Sequence, residues 1–141
     1  MDDETKRAVE EANAAFYRAL ESSRIERMDE VWSHEEPVRC VHPGWELITG
    51  WPRVRESWVR IFEGGQKMRV HPTEVCTQVS GEFAWVTCIE NITLFNDESF
   101  DTAQAVATNL FLLRDGRWLM AHHHTSLIPM IVSEADAETI Q

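Results

Sequence analysis

No apolar run in this sequence approaches the roughly 20 residues that a membrane-spanning helix needs. The N-terminus opens Met-Asp-Asp-Glu, which is acidic and lacks an apolar segment. A signal peptide is therefore not expected, and a soluble cytoplasmic protein is. Basic residues are scarce: 13 Lys and Arg stand against 24 Asp and Glu, a net charge of −11. Nucleic acid and anionic membrane surfaces need clustered cations, so neither is expected as a partner. Cysteine is scarce too. Cys40, Cys76 and Cys88 are an odd number without Cys-x-x-Cys spacing, which argues against a disulfide framework or a zinc knot. Each lies among alternating apolar residues, where buried, inert thiols are common. Internal repeats, a linker and a glycine-rich phosphate loop are also missing, so one domain spanning 1–141, with 128–141 as its tail, is expected.

Tryptophan, by contrast, is abundant. Six in 141 residues must fill a core, line a pocket or bury an interface. Hydrophobic residues make up 43% of the chain, enough for a globular domain. Ala8, Ala12, Ala15, Phe16, Ala19 and Leu20 recur at helical spacing, predicting an amphipathic helix over 3–22. Ile25, Met28, Val31 and Trp32 predict a second over 25–33. Residues 38–42 alternate as a short strand ended by Pro43-Gly44, and 45–50 read as a loop. Trp51-Pro52 opens a third helix, which Gly64-Gly65 closes. Four strands follow, over 67–79, 83–95, 103–113 and 117–126, the last after an Asp115-Gly116 turn. Helices followed by a strand meander indicate an α+β domain, with the helices on one face of the sheet.

The order of elements, together with Val41-His42-Pro43-Gly44, Trp85-Val86-Thr87, Ala107-Thr108-Asn109-Leu110-Phe111 and the ending Trp118…His122-His123-His124-Thr125-Ser126, resembles the SnoaL-like group. That group belongs to the nuclear-transport-factor-2-like superfamily, with ketosteroid isomerase and a kinase association domain among its members. The resemblance covers nearly the whole chain. It implies a strongly curved antiparallel sheet wrapped around about three N-terminal helices, a cone with a deep internal pocket. It also implies a homodimer paired through the outer face of the sheet. It says little about activity, because this fold hosts many functions.

Matched to ketosteroid isomerase, Leu119, Ala121, His123 and Thr125 face inward, as do Trp85, Thr87 and Ile89, and Ala107, Asn109 and Phe111. Trp118, Met120, His122 and His124 face outward, with Val86, Cys88 and Glu90. His42 falls at the position of the carboxylate base. Asn109 falls where an acid donates to the developing oxyanion, and Phe16 where the oxyanion-hole tyrosine stands. A neutral imidazole can take a proton near pH 7, and an amide can stabilise an oxyanion. His42, Asn109 and His123 are therefore the candidate catalytic residues. Two roles stay open for His42, a general base or a rim residue bonded to a backbone carbonyl. His123 is either a pocket group or a satisfied core histidine. Phe16, Trp32, Trp58, Trp85 and Phe111 are the expected aromatic walls of the ligand site, with Thr87 and Thr125 offering hydroxyls.

His122, His124, Glu90 and Cys88 raise a metal reading, since His-x-His on one strand face is a plausible zinc half-site. The outward placement of the pair argues against it, so no metal and no cofactor are expected. A one-residue slip of the strand would reverse that assignment. The resulting expectation is a pocket for a small apolar, flat or cyclic carbonyl compound. Its chemistry would be a cofactor-independent isomerase, cyclase or dehydratase reaction, by proton abstraction next to a carbonyl with His42 as base. The alternative is a non-catalytic dimerisation or association domain.

Overall fold

In a computed structural model, which describes residues 3–129, three helices and six strands form a two-layer α+β domain. The expected tail lies almost wholly outside the described residues. The helices are α1 (Asp3–Ser22), α2 (Ile25–Val31) and α3 (Trp51–Glu63). The strands are β1 (Arg39–Val41), β2 (Ile48–Thr49), β3 (Lys67–Ser80), β4 (Phe83–Phe95), β5 (Phe100–Arg114) and β6 (Arg117–Ile128). The acidic first turn of α1, Asp3 and Glu4, suits the helix dipole. Its buried stripe carries Val9, Phe16 and Leu20, but also Asn13 and Tyr17. The second helix ends at Val31, and Trp32 instead forms a bridge to Met120.

The sheet runs β2-β1-β6-β5-β4-β3 and is open, with β2 and β3 as unpaired edges. This corrects the expected cone, because a sheet with two free edges neither closes nor curls into one. It is also not wholly antiparallel: β1 pairs parallel to β6, with Cys40 opposite His123. Residues 48–49, read as loop, form the edge strand β2 beside β1. On the other edge, a register shift follows Pro72, between Thr73 and Cys76, where a missing N–H is tolerated. Asp115 and Gly116 both have positive φ, 51° and 78°, the geometry of a type I′ hairpin turn.

Two face assignments change. On β4, Val86, Cys88 and Glu90 are buried and face the helices, whereas Trp85, Thr87 and Ile89 lie on the other face. The hairpin register sets this: Asn109 sits opposite Val86 and Ala107 opposite Cys88, so all four share a face. That register follows from a four-residue turn, 96–99, in which Asn96 Oδ1 accepts from the N–H groups of Glu98 and Ser99. On β6, a bulge opposite Leu110 and Phe111 changes the phase. Met120 is fully buried, and Ala121, His123 and Thr125 are buried after it.

The core lies between the three helices and this inner face. Phe16 is its centre, with ring centroids 4.9 Å from Tyr17, 6.2 Å from Trp32, 5.7 Å from Trp58 and 4.7 Å from His123. The first three are edge-to-face contacts, the arrangement that ring quadrupoles favour. Cys40 and Cys88 are buried as expected, but Cys76 is exposed.

Candidate functional site

The interior holds an unusual number of polar groups, and they are joined. His123 Nδ1 lies 2.6 Å from Asn109 Oδ1. The Asn109 amide donates to Asn13 Oδ1 at 2.9 Å and to the Tyr17 hydroxyl at 3.1 Å. Tyr17 donates to Glu90 Oε2 at 2.7 Å, and Thr125 donates to Glu90 Oε1 at 2.7 Å. Since the Asn109 amide nitrogen is donating, its oxygen must accept, and His123 carries its proton on Nδ1. Every bond from His123 through Asn109 and Tyr17 then points toward Glu90. The lone pair of the ring then lies on Nε2 of His123, whose ring centroid is 4.7 Å from that of Phe16 and 6.1 Å from that of Trp58.

A second pair lies at the end of β1. His42 Nε2 is 2.8 Å from Ser57 Oγ, and Ser57 donates its own proton to the Val54 carbonyl at 2.6 Å. Ser57 must therefore accept from His42, which fixes the proton on Nε2 and leaves Nδ1 basic. The Cys40 sulfur lies 3.7 Å from Nε2 and 3.9 Å from Nδ1, a weak contact at long range. The Trp58 indole stands between the imidazoles, with centroids 4.5 Å from His42 and 6.1 Å from His123. Trp45 covers His42 from the other side at 4.8 Å.

Burial sets the electrostatics. Both imidazoles are pushed down to about 3, chiefly by desolvation, His42 also by His123 and His123 also by His122 and His124. Both are therefore neutral acceptors at neutral pH. Burial raises the Glu90 carboxyl, against the lowering effect of the Thr125 and Tyr17 hydrogen bonds. Desolvation, with Glu90 beside it, also raises the Tyr17 phenol, and the Cys88 thiol is pushed up to about 11, chiefly by burial.

His42, Asn109 and His123 are thus buried at one end of the core, with 3%, 0% and 2% of their surface exposed. Phe16, Trp32, Trp58 and Phe111 are packed around or beyond them, and Thr125 joins the network through Glu90. Trp85 and Thr87 are not brought to the site, being on the opposite face. A groove of about 460 Å³ is lined by Trp45, Glu46, Leu47 and residues of α3, including Ser57, the partner of His42.

Three participants went unrecognised in the sequence, Asn13, Tyr17 and Ser57, and a fourth, Glu90, was expected on the outer face as a possible metal ligand rather than buried in this network. Asn13 and Tyr17, at i and i+4 with Phe16 and Leu20, carry a helical signal that could have found them. The inward hydroxyl thus comes from Tyr17, one residue beyond Phe16. His122 and His124 lie on the outer face, their rings 6.2 Å apart. Among the described residues no group of three or more His, Cys, Asp and Glu side chains is placed to hold a metal ion. Nor, among them, is any helix long and apolar enough to cross a membrane.

A model of the SnoaL-like domain matches residues 9–131, most of the chain. The chain belongs to the SnoaL-like family. Within the curated proteins, this SnoaL-like chain is 31% identical over 126 residues to the F-box protein SKIP8 of Arabidopsis thaliana, covering 88% of this chain and 51% of the relative. It thus spans about half the length of that relative. A proposed dehydratase of the NTF2-like family from Streptomyces avermitilis superposes with a TM-score of 0.83 at 31% identity, over 91% of this chain and 99% of that one. A proposed calcium/calmodulin-dependent protein kinase type II association domain from Thiobacillus denitrificans superposes at 0.70, with 27% identity over 85% and 94%. A ketosteroid isomerase-like protein from Erwinia carotovora atroseptica, at 0.76 and 22% identity over 92% and 100%, shares the fold.

Proposed function

We propose that this domain binds a small, largely apolar, flat or cyclic carbonyl compound at the His42–Trp58–His123 end of its core. It acts there as a cofactor-independent isomerase, cyclase or dehydratase. The observation that carries this reading is the pair of neutral imidazoles flanking one indole, each with one nitrogen engaged and the other holding a lone pair. The 31% identity to a proposed dehydratase supports it.

His42 Nδ1 takes a proton from the carbon next to the carbonyl, and the electron pair moves onto the carbonyl oxygen as an enolate. In an isomerisation the imidazolium returns that proton to a different carbon. In an elimination the pair forms a new C=C bond, and a β-hydroxyl leaves as water with the proton returned by the imidazolium. Both Asn109 amide protons are engaged, so Asn109 orients His123 rather than meeting the enolate. With no ligand bound His42 is a weak base, because burial disfavours its cation. Substrate charge developing beside it during the reaction favours that cation.

The test is a thermal-shift series over flat cyclic ketones and their hydroxylated analogues, followed by turnover of any binder in wild type and His42→Ala. A raised melting transition with wild type and lost turnover in the variant supports the reading. Full activity in His42→Ala would end the role of His42 as base.

A second reading, an association domain, is favoured by the outer sheet face, where Phe83 and Val106 are 38% and 44% exposed. Pairing of two copies through this face is part of the proposal in either case.

A further inference from the structure

The indole nitrogen of Trp58 is buried and, among the described residues, has no hydrogen-bond partner. An orphaned donor of this kind costs about 1–3 kcal/mol and is rare in native interiors. Trp32 Nε1 is orphaned as well, but the ring contacts around Trp32 are with Phe16 and Trp51, which offer no acceptor. Trp58 differs. Its ring contacts include His42, His123, Phe16 and Phe62. The tautomers fixed above leave a lone pair on each imidazole. One unpartnered donor and two imidazole lone pairs, of which that on His42 Nδ1 has only the long Cys40 thiol contact, therefore lie around one aromatic ring.

We propose that the Trp58 indole N–H and the free ring nitrogens of His42 and His123 together form a binding site for one small molecule carrying both a carbonyl and a hydroxyl group. The inference rests on the reading above and deepens it by naming the ligand class and a donor. The carbonyl oxygen accepts from Trp58 Nε1, where an enolate would also be held. The hydroxyl proton goes to an imidazole. A hydrocarbon would leave all three polar groups unpaired, and a simple ketone would satisfy only the indole. Trp45, 41% exposed and edge-on to His42, shares the rim groove with Ser57. It is the side chain that must move for such a ligand to pass from the groove to the imidazoles.

Three bicyclic probes of nearly equal size separate these contributions: indane, 1-indanone and 3-hydroxy-1-indanone. Binding is followed by thermal shift and by the indole N–H resonances of 15N-labelled wild-type protein, with the Trp58 signal assigned through its proximity to the Phe16 and Phe62 rings. The expected result is affinity rising from indane to 1-indanone to 3-hydroxy-1-indanone. The Trp58 proton moves downfield with both carbonyl compounds and not with indane. Trp58→Phe binds both carbonyl compounds about tenfold more weakly, while indane is unaffected. Stabilisation by the probes with the Trp58 resonance unmoved overturns this inference and leaves the pocket reading standing. No stabilisation and no indole shift with any probe overturns both. The resonance test needs only wild-type protein, so it remains decisive even where Trp58→Phe folds poorly.

Discussion

His123 on β6 and Asn109 on β5 are direct cross-strand partners, and their side chains meet at 2.6 Å in the fully buried core. Because α1 holds the Asn109 amide through Asn13 and Tyr17, the imidazole can occupy this position only with its proton on Nδ1. The helix thus sets the protonation pattern of a strand residue.

That relationship has a pH consequence. His42 and His123 are pushed down to about 3 in the folded protein, against 6.5 for the free side chain. Below pH 6.5 the unfolded chain binds protons that the folded chain refuses. Stability is therefore full above about pH 6.5 and falls as pH drops toward 3. Between pH 7 and pH 5 each histidine accounts for about 2 kcal/mol of that loss. The expected outcome is that His123→Phe, compared with wild type by urea denaturation, loses about half of the stability difference between these two pH values. An unchanged difference would show that the imidazole is charged or solvated in the fold.

Glu90 works in the opposite direction. Its folded carboxyl is raised above 4.5 by burial, so the unfolded chain ionises first, and the Glu90 contribution declines as pH rises through the folded value. Removing the side chain also strands the hydroxyl donors of Tyr17 and Thr125. Glu90→Ala is expected to cost about 2–4 kcal/mol. Glu90→Gln, which keeps an acceptor, costs less, and its deficit relative to wild type shrinks as pH rises from about 4.5. Chemical denaturation of both variants at pH 4.5 and 8 checks the order and the sign.

Much of this arrangement was readable in the sequence and some was not, for physical reasons. The three helices and the β4–β5–β6 meander follow from strong local periodicity. Phe16 and Trp58 follow from it too, whereas the inward placement of Phe111 and His123 came from the resemblance to ketosteroid isomerase. The face of β4 did not. Trp85, Thr87 and Ile89 look more like core than Val86, Cys88 and Glu90, and only the hairpin register with Asn109 decides between them. Glu90 is buried because Tyr17 and Thr125, far away in sequence, meet it there. Met120 is buried because of a bulge that no pattern announces. The open sheet edges and the parallel β1–β6 pair are likewise long-range facts.

Trp45 gives a third test. It covers His42 edge-on at 4.8 Å, and burial is the main cause of the low His42 value. Trp45→Ala lets water reach the ring and lowers the desolvation cost of the cation. The His42 imidazole signals, followed by NMR titration, are expected to move from about 3 toward the ordinary histidine range, while His123 stays near its wild-type value. A His42 titration unchanged in the variant would mean that Trp58 and Cys40 alone keep the ring dry.

The outer sheet face supplies the last prediction. Phe83, Trp85 and Val106 lie on the side of the sheet opposite the helices, beside Leu110. Nothing in the described chain covers this side. A two-fold dimer places the same patch of both copies in contact, so one substitution enters the interface twice. Standard interfaces bury about 800 Å² per partner, an area a face of four long strands can provide. Wild-type protein is expected to sediment as a dimer at micromolar concentration. Val106→Glu, which puts two like charges into that contact, is expected to sediment as a monomer. Its near-UV circular dichroism should keep the signature of the tryptophan core, because Val106 points away from that core. The wild type running as a monomer would remove the pairing from the proposal. A Val106→Glu dimer with an intact core would move the interface to another surface.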